Sequence, residues 1–242
     1  MLYNLGLTSI EPEPGCEYLI IAPSAFLPAY TELIDWRWRQ GYNARIQTIE
    51  WINANCEGID LQDRVRNYII DRVENYGTEF VTLGADVEYI PDRKLFAFDC
   101  EAGHYVDENE IPGDMYYSCL DGDWDANGNG VYGEDYDLPD YLPEVFVSRI
   151  PANSIEDVTS YCQRVINYES RSLTPGVPDD SMDFNTAIGF SMELWTGSNS
   201  EVCQQFIYDN YFPDYYDITF LFNDANHEFS AITLLSHNPN IV

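Results

Sequence analysis

Tyr18-Leu-Ile-Ile-Ala22, followed at once by Pro23-Ser24, decides the fold. Five apolar residues in a row, with no polar alternation, read as a strand buried on both faces, which is how strands of a parallel sheet read. Pro23 and Ser24 then lead into a helical stretch at 26–40, with Gly41 as its stop. A second strand reads at 43–49. Leu61, Val65, Ile69 and Val73 recur every four residues through a helix whose Arg64, Arg66, Asp71 and Arg72 are expected mostly on the wet side. Residues 80–83 form a third strand ending at Gly84. Strand and helix alternating with crossovers of this length imply right-handed units and a parallel α/β sheet.

Upstream, Glu11-Pro-Glu-Pro-Gly15 closes what reads as a linker over residues 1–15. Downstream, the alternation breaks between Asp86 and Pro143 into an acidic excursion rich in Tyr and Gly. It returns with a strand at 145–147 and a helix at 155–168, whose start carries Asn153, Ser154, Glu156 and Asp157, residues that favour a helix N-terminus. A loop at 174–183, a strand at 186–190, a helix at 201–211, a strand at 218–222 and a helix at 228–236 follow. Asn240-Ile-Val242 reads as the start of another strand, which leaves the sheet unfinished. The expected organisation is a first α/β subdomain at 16–98 and a second, incomplete one at 99–242.

Inside the excursion, the acidic stretch 121–137 contains Asp123-Trp-Asp125-Ala-Asn127-Gly128-Asn129-Gly130-Val131-Tyr-Gly-Glu134. Calcium takes six to eight oxygen ligands, and a twelve-residue loop supplies them from positions 1, 3, 5, 7, 9 and 12 with Gly at 6. Counted from Asp123, those positions are Asp123, Asp125, Asn127, Asn129, Val131 and Glu134, and Gly128 supplies the turn. Asp123, Asp125 and Asn127 offer side-chain oxygens, Asn129 and Val131 stand where backbone or water ligands occur, and Glu134 can close the shell with both oxygens. Position 8, usually apolar in paired hands, is Gly130, and the flanks Tyr116-Tyr-Ser-Cys-Leu120 and Leu138-Pro-Asp-Tyr-Leu-Pro143 read as extended. A lone structural loop is expected, with a solvated acidic turn as its plain alternative.

Composition bounds the partners. The chain has 42 acidic against 11 basic residues, a net charge of −31 and a single lysine, Lys94. No Lys/Arg cluster exists to neutralise a phosphate backbone, so nucleic acid is excluded as a partner. At 45% hydrophobic residues the chain buries a real core. No run of eighteen apolar residues or charged-then-apolar leader is present, so no membrane span is expected. Such a surface repels itself, which bound cations or external salt relieve; a secreted or cell-surface setting and plain solubility both explain it.

Much chemistry is missing. The turn after the first strand, Ala22-Pro23-Ser24-Ala25, lacks the glycines of a dinucleotide site, and Ser191 and Ser198 lack the glycine frame of a hydrolase serine. His104, His227 and His237 read as surface or capping residues. The six cysteines (Cys16, Cys56, Cys100, Cys119, Cys162, Cys203) show no Cys-x-x-Cys spacing, and most fall inside helix or strand patterns; Cys100 and Cys119 flank one loop and can pair or stay reduced. Glu193 and Asp224 follow strands, where the carboxyl ends of a parallel sheet form a ligand crevice; either reads as a loop cap or as a group that meets a cationic ligand.

Several strings, in order, resemble the gingipain-type cysteine peptidases: Tyr18-Leu-Ile-Ile-Ala-Pro23; Ile34-Asp35-Trp36 with Arg39-Gln40-Gly41-Tyr42; Val81-Thr-Leu-Gly84 with Ile90-Pro91; Asp114-Met-Tyr-Tyr117; and Glu144-Val-Phe-Val-Ser-Arg149-Ile-Pro followed by a helix ending Asn167-Tyr168-Glu169. The resemblance implies a three-layer, caspase-like α/β architecture of two tandem subdomains and a bound calcium near their junction. It also implies a Cys-His dyad that attacks peptide bonds through a thiolate. The family's His-Gly pair and nucleophilic Cys would lie beyond Val242, so no catalytic residue is carried over. The implied partners are the remaining carboxyl-terminal part of the catalytic domain and peptide or protein substrates. Glu193, if it faces the pocket for the residue before the cut, favours a basic side chain there.

The leading expectation is therefore the amino-terminal part of a secreted, calcium-binding cysteine endopeptidase, inactive by itself. A non-catalytic calcium-binding module for adhesion or assembly is the alternative. A flavodoxin-like binding domain is a third reading, but the phosphate-binding turn it needs is absent.

Overall fold

Leu19, Ile20, Ile21 and Ala22 are all fully buried, and because successive side chains of a strand point to opposite faces, their sheet must be covered on both. The computed structural model describes residues 15–96, 111–172, 186–191, 200–212 and 217–222. Its element order is β1 (Tyr18–Ala22), a 3₁₀ segment (Ser24–Tyr30), α1 (Thr31–Arg39), β2 (Ala44–Thr48), α2 (Ile49–Asn55), α3 (Leu61–Tyr76), β3 (Phe80–Leu83), β4 (Arg93–Leu95), β5 (Ile111–Gly113), α4 (Met115–Ser118), β6 (Phe146–Arg149), α5 (Ile155–Ser172), β7 (Thr186–Ser191), α6 (Ser200–Tyr211) and β8 (Asp217–Phe222).

Four strands form one sheet in the order β2-β1-β3-β6, and every neighbouring pair is parallel, with Tyr18 level with Ala44 and Phe80, and Phe80 level with Phe146. That register stacks Tyr18 on Phe80 and Phe80 on Phe146, with ring centroids 6.2 and 5.4 Å apart. Trp51 of α2 packs edge-on against Tyr68 of α3, while Gln163 of α5 donates to Glu32 of α1. Each fully buried aliphatic side chain of this core contributes about 1.5–3 kcal/mol.

Local signals explain the boundaries. Asp60 caps α3 by accepting from the Asp63 N–H at 2.8 Å, and Gly77 ends it at φ +69°. α2 was not foreseen in the sequence; Thr48 caps it through the Trp51 N–H, and Ile49 and Ile52 bury its single apolar edge. Two expectations are corrected. Arg66 and Arg72 lie on the dry side of α3, 9% and 7% exposed: Arg66 reaches four backbone carbonyls, and Arg72 covers the rings of Tyr68 and Tyr76. The flank before the acidic loop is not wholly extended, because Met115–Ser118 makes a helical turn before Cys119 straightens.

β6 pairs with β3, so the division expected between residues 98 and 99 falls inside the connection joining these two strands. The compact units part between Tyr168 and Glu169. In the second unit, β7 and β8 form a parallel pair, Thr186 level with Asp217 and Ser191 level with Phe222, and α6 lies between them in sequence. Among the described residues, no helix is long and apolar enough to cross a membrane.

Candidate functional site

Three arginines pin the acidic excursion to β6 and α3. Arg149, the last residue of β6, meets Asp114 with two parallel bonds, Nε to Oδ2 and Nη2 to Oδ1, both 2.7 Å, and its Nη1 donates to the carbonyls of Ala85 at 2.9 Å and Ile90 at 2.8 Å. Beside it the Tyr117 hydroxyl donates to the Pro91 carbonyl. Three of the strings singled out in the sequence, Val81–Gly84 with Ile90-Pro91, Asp114–Tyr117 and the one ending in Arg149-Ile-Pro151, therefore meet at one junction. Arg66 of α3 donates to the carbonyls of Tyr116, Cys119, Leu120 and Asp121, at 2.8–3.3 Å.

Arg93 of β4 lies over the rings of Tyr116 and Tyr132, 4.5 and 4.1 Å from their centroids, and forks onto Asp60 with two 2.8 Å bonds. Burial works against the Arg93 charge, but the Asp60 hydrogen bonds outweigh it and hold its pKa above the ordinary value. Burial likewise pushes the Tyr116 hydroxyl up to about 12.

The loop itself is built from side chains folding back on their own backbone. Asp123 Oδ1 accepts from Asp125 N, Asn127 Oδ1 from Asn129 N and Asn129 Oδ1 from Val131 N, three Asx turns between Asp123 and Val131. Asp125 accepts from the Gly130 N–H, and both Asn127 and Asn129 amides donate to Glu134 Oε2, at 3.0 and 2.6 Å. Gly128 stands at φ +71°, a left-handed conformation that suits glycine at the sixth position. Trp124 anchors the loop, 3% exposed, its indole N–H donating to the Cys119 carbonyl, and Tyr132 bridges to Leu95.

Of the expected ligands, the structure thus gathers Asn127, Asn129 and Glu134 around one carboxylate oxygen and folds Asp125 over Gly130. Asp123 bonds only within its own turn, and Val131 contributes backbone. The donor chemistry, three carboxylates and two amide oxygens, fits calcium, and each oxygen that closes an Asx turn keeps a further lone pair. A second acidic group was not foreseen: oxygens of Asp121, Asp140 and Glu144 all lie within 4.8 Å of one another. No spacing rule links residues so scattered.

Four of the described cysteines show the opposite of activation. Cys16, Cys56, Cys119, Cys162 and Cys203 are free thiols. Burial pushes Cys16 and Cys162 up to about 11 and raises Cys56 and Cys119 as well, whereas a nucleophile needs a lowered thiol pKa. Cys100, His104, His227, His237, Glu193 and Asp224 lie outside the described residues.

A four-stranded parallel sheet with helices around it and a clamped acidic insertion defines the class as α/β. The model of Peptidase family C25 matches residues 11–237, and the chain belongs to that family. Among solved structures, the Arg-specific cysteine proteinase gingipain R is similar at 16% identity and a TM-score of 0.62, over 94% of this chain and 46% of that one. A structure described as a protease is similar at 17% identity and 0.62, over 90% and 42%. The complex of RgpB pro- and mature domains from Porphyromonas gingivalis follows at 15% identity and 0.56, over 86% and 42%. At such identities the likeness is one of fold, and the chain spans less than half the length of these structures. No curated protein sequence matches it.

Proposed function

We propose that this chain forms the amino-terminal part of the catalytic domain of a calcium-binding cysteine endopeptidase, with the nucleophilic Cys and its His supplied by residues that follow Val242. The family match over residues 11–237 carries the reading. The raised thiol pKa values of Cys16, Cys56, Cys119 and Cys162 support it from the other side, since none of these four is poised as a thiolate.

In this reading Asp123, Asp125, Asn127, Asn129, Val131 and Glu134 hold the calcium ion, which balances acidic charge and fixes the loop. The net charge of −31 suits a secreted or cell-surface protein working where calcium is plentiful. Glu193 is proposed to contact a basic side chain of the substrate. The division into subdomains at 16–98 and 99–242 is retained only as a proposal about how the whole catalytic domain is organised.

The experiment is a peptide-cleavage assay on the protein produced from its whole gene, beside residues 1–242 alone. The longer protein is expected to cleave labelled peptides and to lose that activity on alkylation with iodoacetamide, while the 242-residue chain is inactive. A longer protein that binds calcium but cleaves no peptide would instead support the non-catalytic module, and cleavage by residues 1–242 alone would refute the placement of the nucleophile.

A further inference from the structure

The twelve-residue frame ends at Glu134, yet the loop's buried carboxylate stands three residues beyond it. Asp137 is 4% exposed, whereas Asp123 and Asp135 are exposed and Asp125 and Glu134 only half-buried. Its Oδ2 accepts from the Glu134 N–H at 3.0 Å and its Oδ1 from the Asn127 N–H at 3.4 Å. It therefore ties together the backbones of the fifth and twelfth positions, two residues that the proposed calcium site uses as ligands.

Two amide dipoles do not neutralise a buried negative charge, and a buried charge is normally paired or set against a metal. None of the described ion pairs includes Asp137. The arginines that bind the excursion are engaged elsewhere, Arg66 on carbonyls, Arg93 on Asp60 and Arg149 on Asp114. We propose that Asp137 is a positioning residue of the cation site: it sets Asn127 and Glu134 for the ion, and the ion balances its buried charge. The inference rests on the calcium reading above and adds to it a residue that the twelve-residue frame does not contain.

The test compares D137N with D135N, which removes the same charge from an exposed neighbour, in the full-length protein. Calcium titration by isothermal calorimetry is expected to show D137N binding about 10- to 100-fold more weakly, the usual cost of losing a group that orients metal ligands. D135N should change affinity by about threefold or less, since exposed charges are screened.

Thermal melts separate this role from a plain backbone acceptor. In chelator D137N should melt at or above the wild-type temperature, because an unbalanced buried charge has gone, and in saturating calcium it should melt below. Equal affinities for D137N and D135N would overturn the proposal, as would a D137N melting point below wild type in chelator. A wild-type protein that binds no calcium would overturn the calcium reading itself, and this inference with it.

Discussion

Replacing Arg149 by Met tests whether the excursion is clamped to the sheet as described. The Arg149 side chain is 12% exposed and that of Asp114 30%, and the bond pair between them is bidentate at 2.7 Å. Met keeps much of the stem's packing but strands the Asp114 carboxylate and the carbonyls of Ala85 and Ile90, whose residues are fully buried. Breaking one side of a buried pair typically costs about 3–5 kcal/mol. Part of the Asp114 charge can turn to water, so the lower half, about 3–4 kcal/mol, is expected. For a unit of this size each kcal/mol moves the melting point about 2–4 °C, so a fall of roughly 6–16 °C should follow. Urea unfolding followed by far-ultraviolet circular dichroism measures it. The double variant R149M/D114N should recover about 1–2 kcal/mol of the loss, because the stranded charge is gone. A loss under about 1 kcal/mol for R149M, or strict additivity with D114N, would refute the clamp.

Other predictions are narrower. Arg66→Met, which takes the Arg66 donor from the carbonyls of Tyr116 and Leu120 and leaves Cys119 with the Trp124 indole N–H alone, should lower stability by about 2–4 kcal/mol in the same unfolding experiment. Gly84→Ala should cost about 1–3 kcal/mol, since the added methyl would sit 2.6 Å from the Tyr30 hydroxyl oxygen, which donates to the Gly84 carbonyl. Burial raises the Asp60 pKa, but the Arg93 hydrogen bonds and the Asp63 N–H outweigh it, and the net value lies below the ordinary 3.8. A group whose pKa is depressed by folding stabilises fully above its unfolded value and loses that contribution as pH falls through the folded one. Wild-type melting temperature should therefore drop on acidification below pH 3.8 more steeply than that of D60N. Native alkylation with iodoacetamide near neutral pH, mapped by mass spectrometry, should modify the exposed Cys203 and spare Cys16 and Cys162 until the chain unfolds.

The first strand was legible because burial on both faces leaves a mark that needs no partner to read: an unbroken apolar run, as in Tyr18–Ala22. The turn at Gly128 was legible because glycine at a fixed place in an acidic loop is a local signal. Arg66 and Arg72 were misread because helical period assigns a face by polarity, while their long stems and flat heads can be buried where carbonyls or rings await them. The meeting of Arg149 with Asp114, Ala85 and Ile90 joins residues up to 64 apart in sequence, and no local pattern encodes such a contact. Asp137 and the trio Asp121, Asp140 and Glu144 were hidden for the same reason, since among so many acids neither burial nor convergence can be told from composition.

The central proposal is tested most directly by labelling the protein from its whole gene with a peptidyl acyloxymethyl ketone, which traps a catalytic thiolate, and mapping the modified residue by mass spectrometry. The account predicts one modified cysteine, located beyond Val242, with the six cysteines of this chain untouched. Label on Cys16, Cys56, Cys100, Cys119, Cys162 or Cys203, or no label in a correctly folded protein, would contradict it.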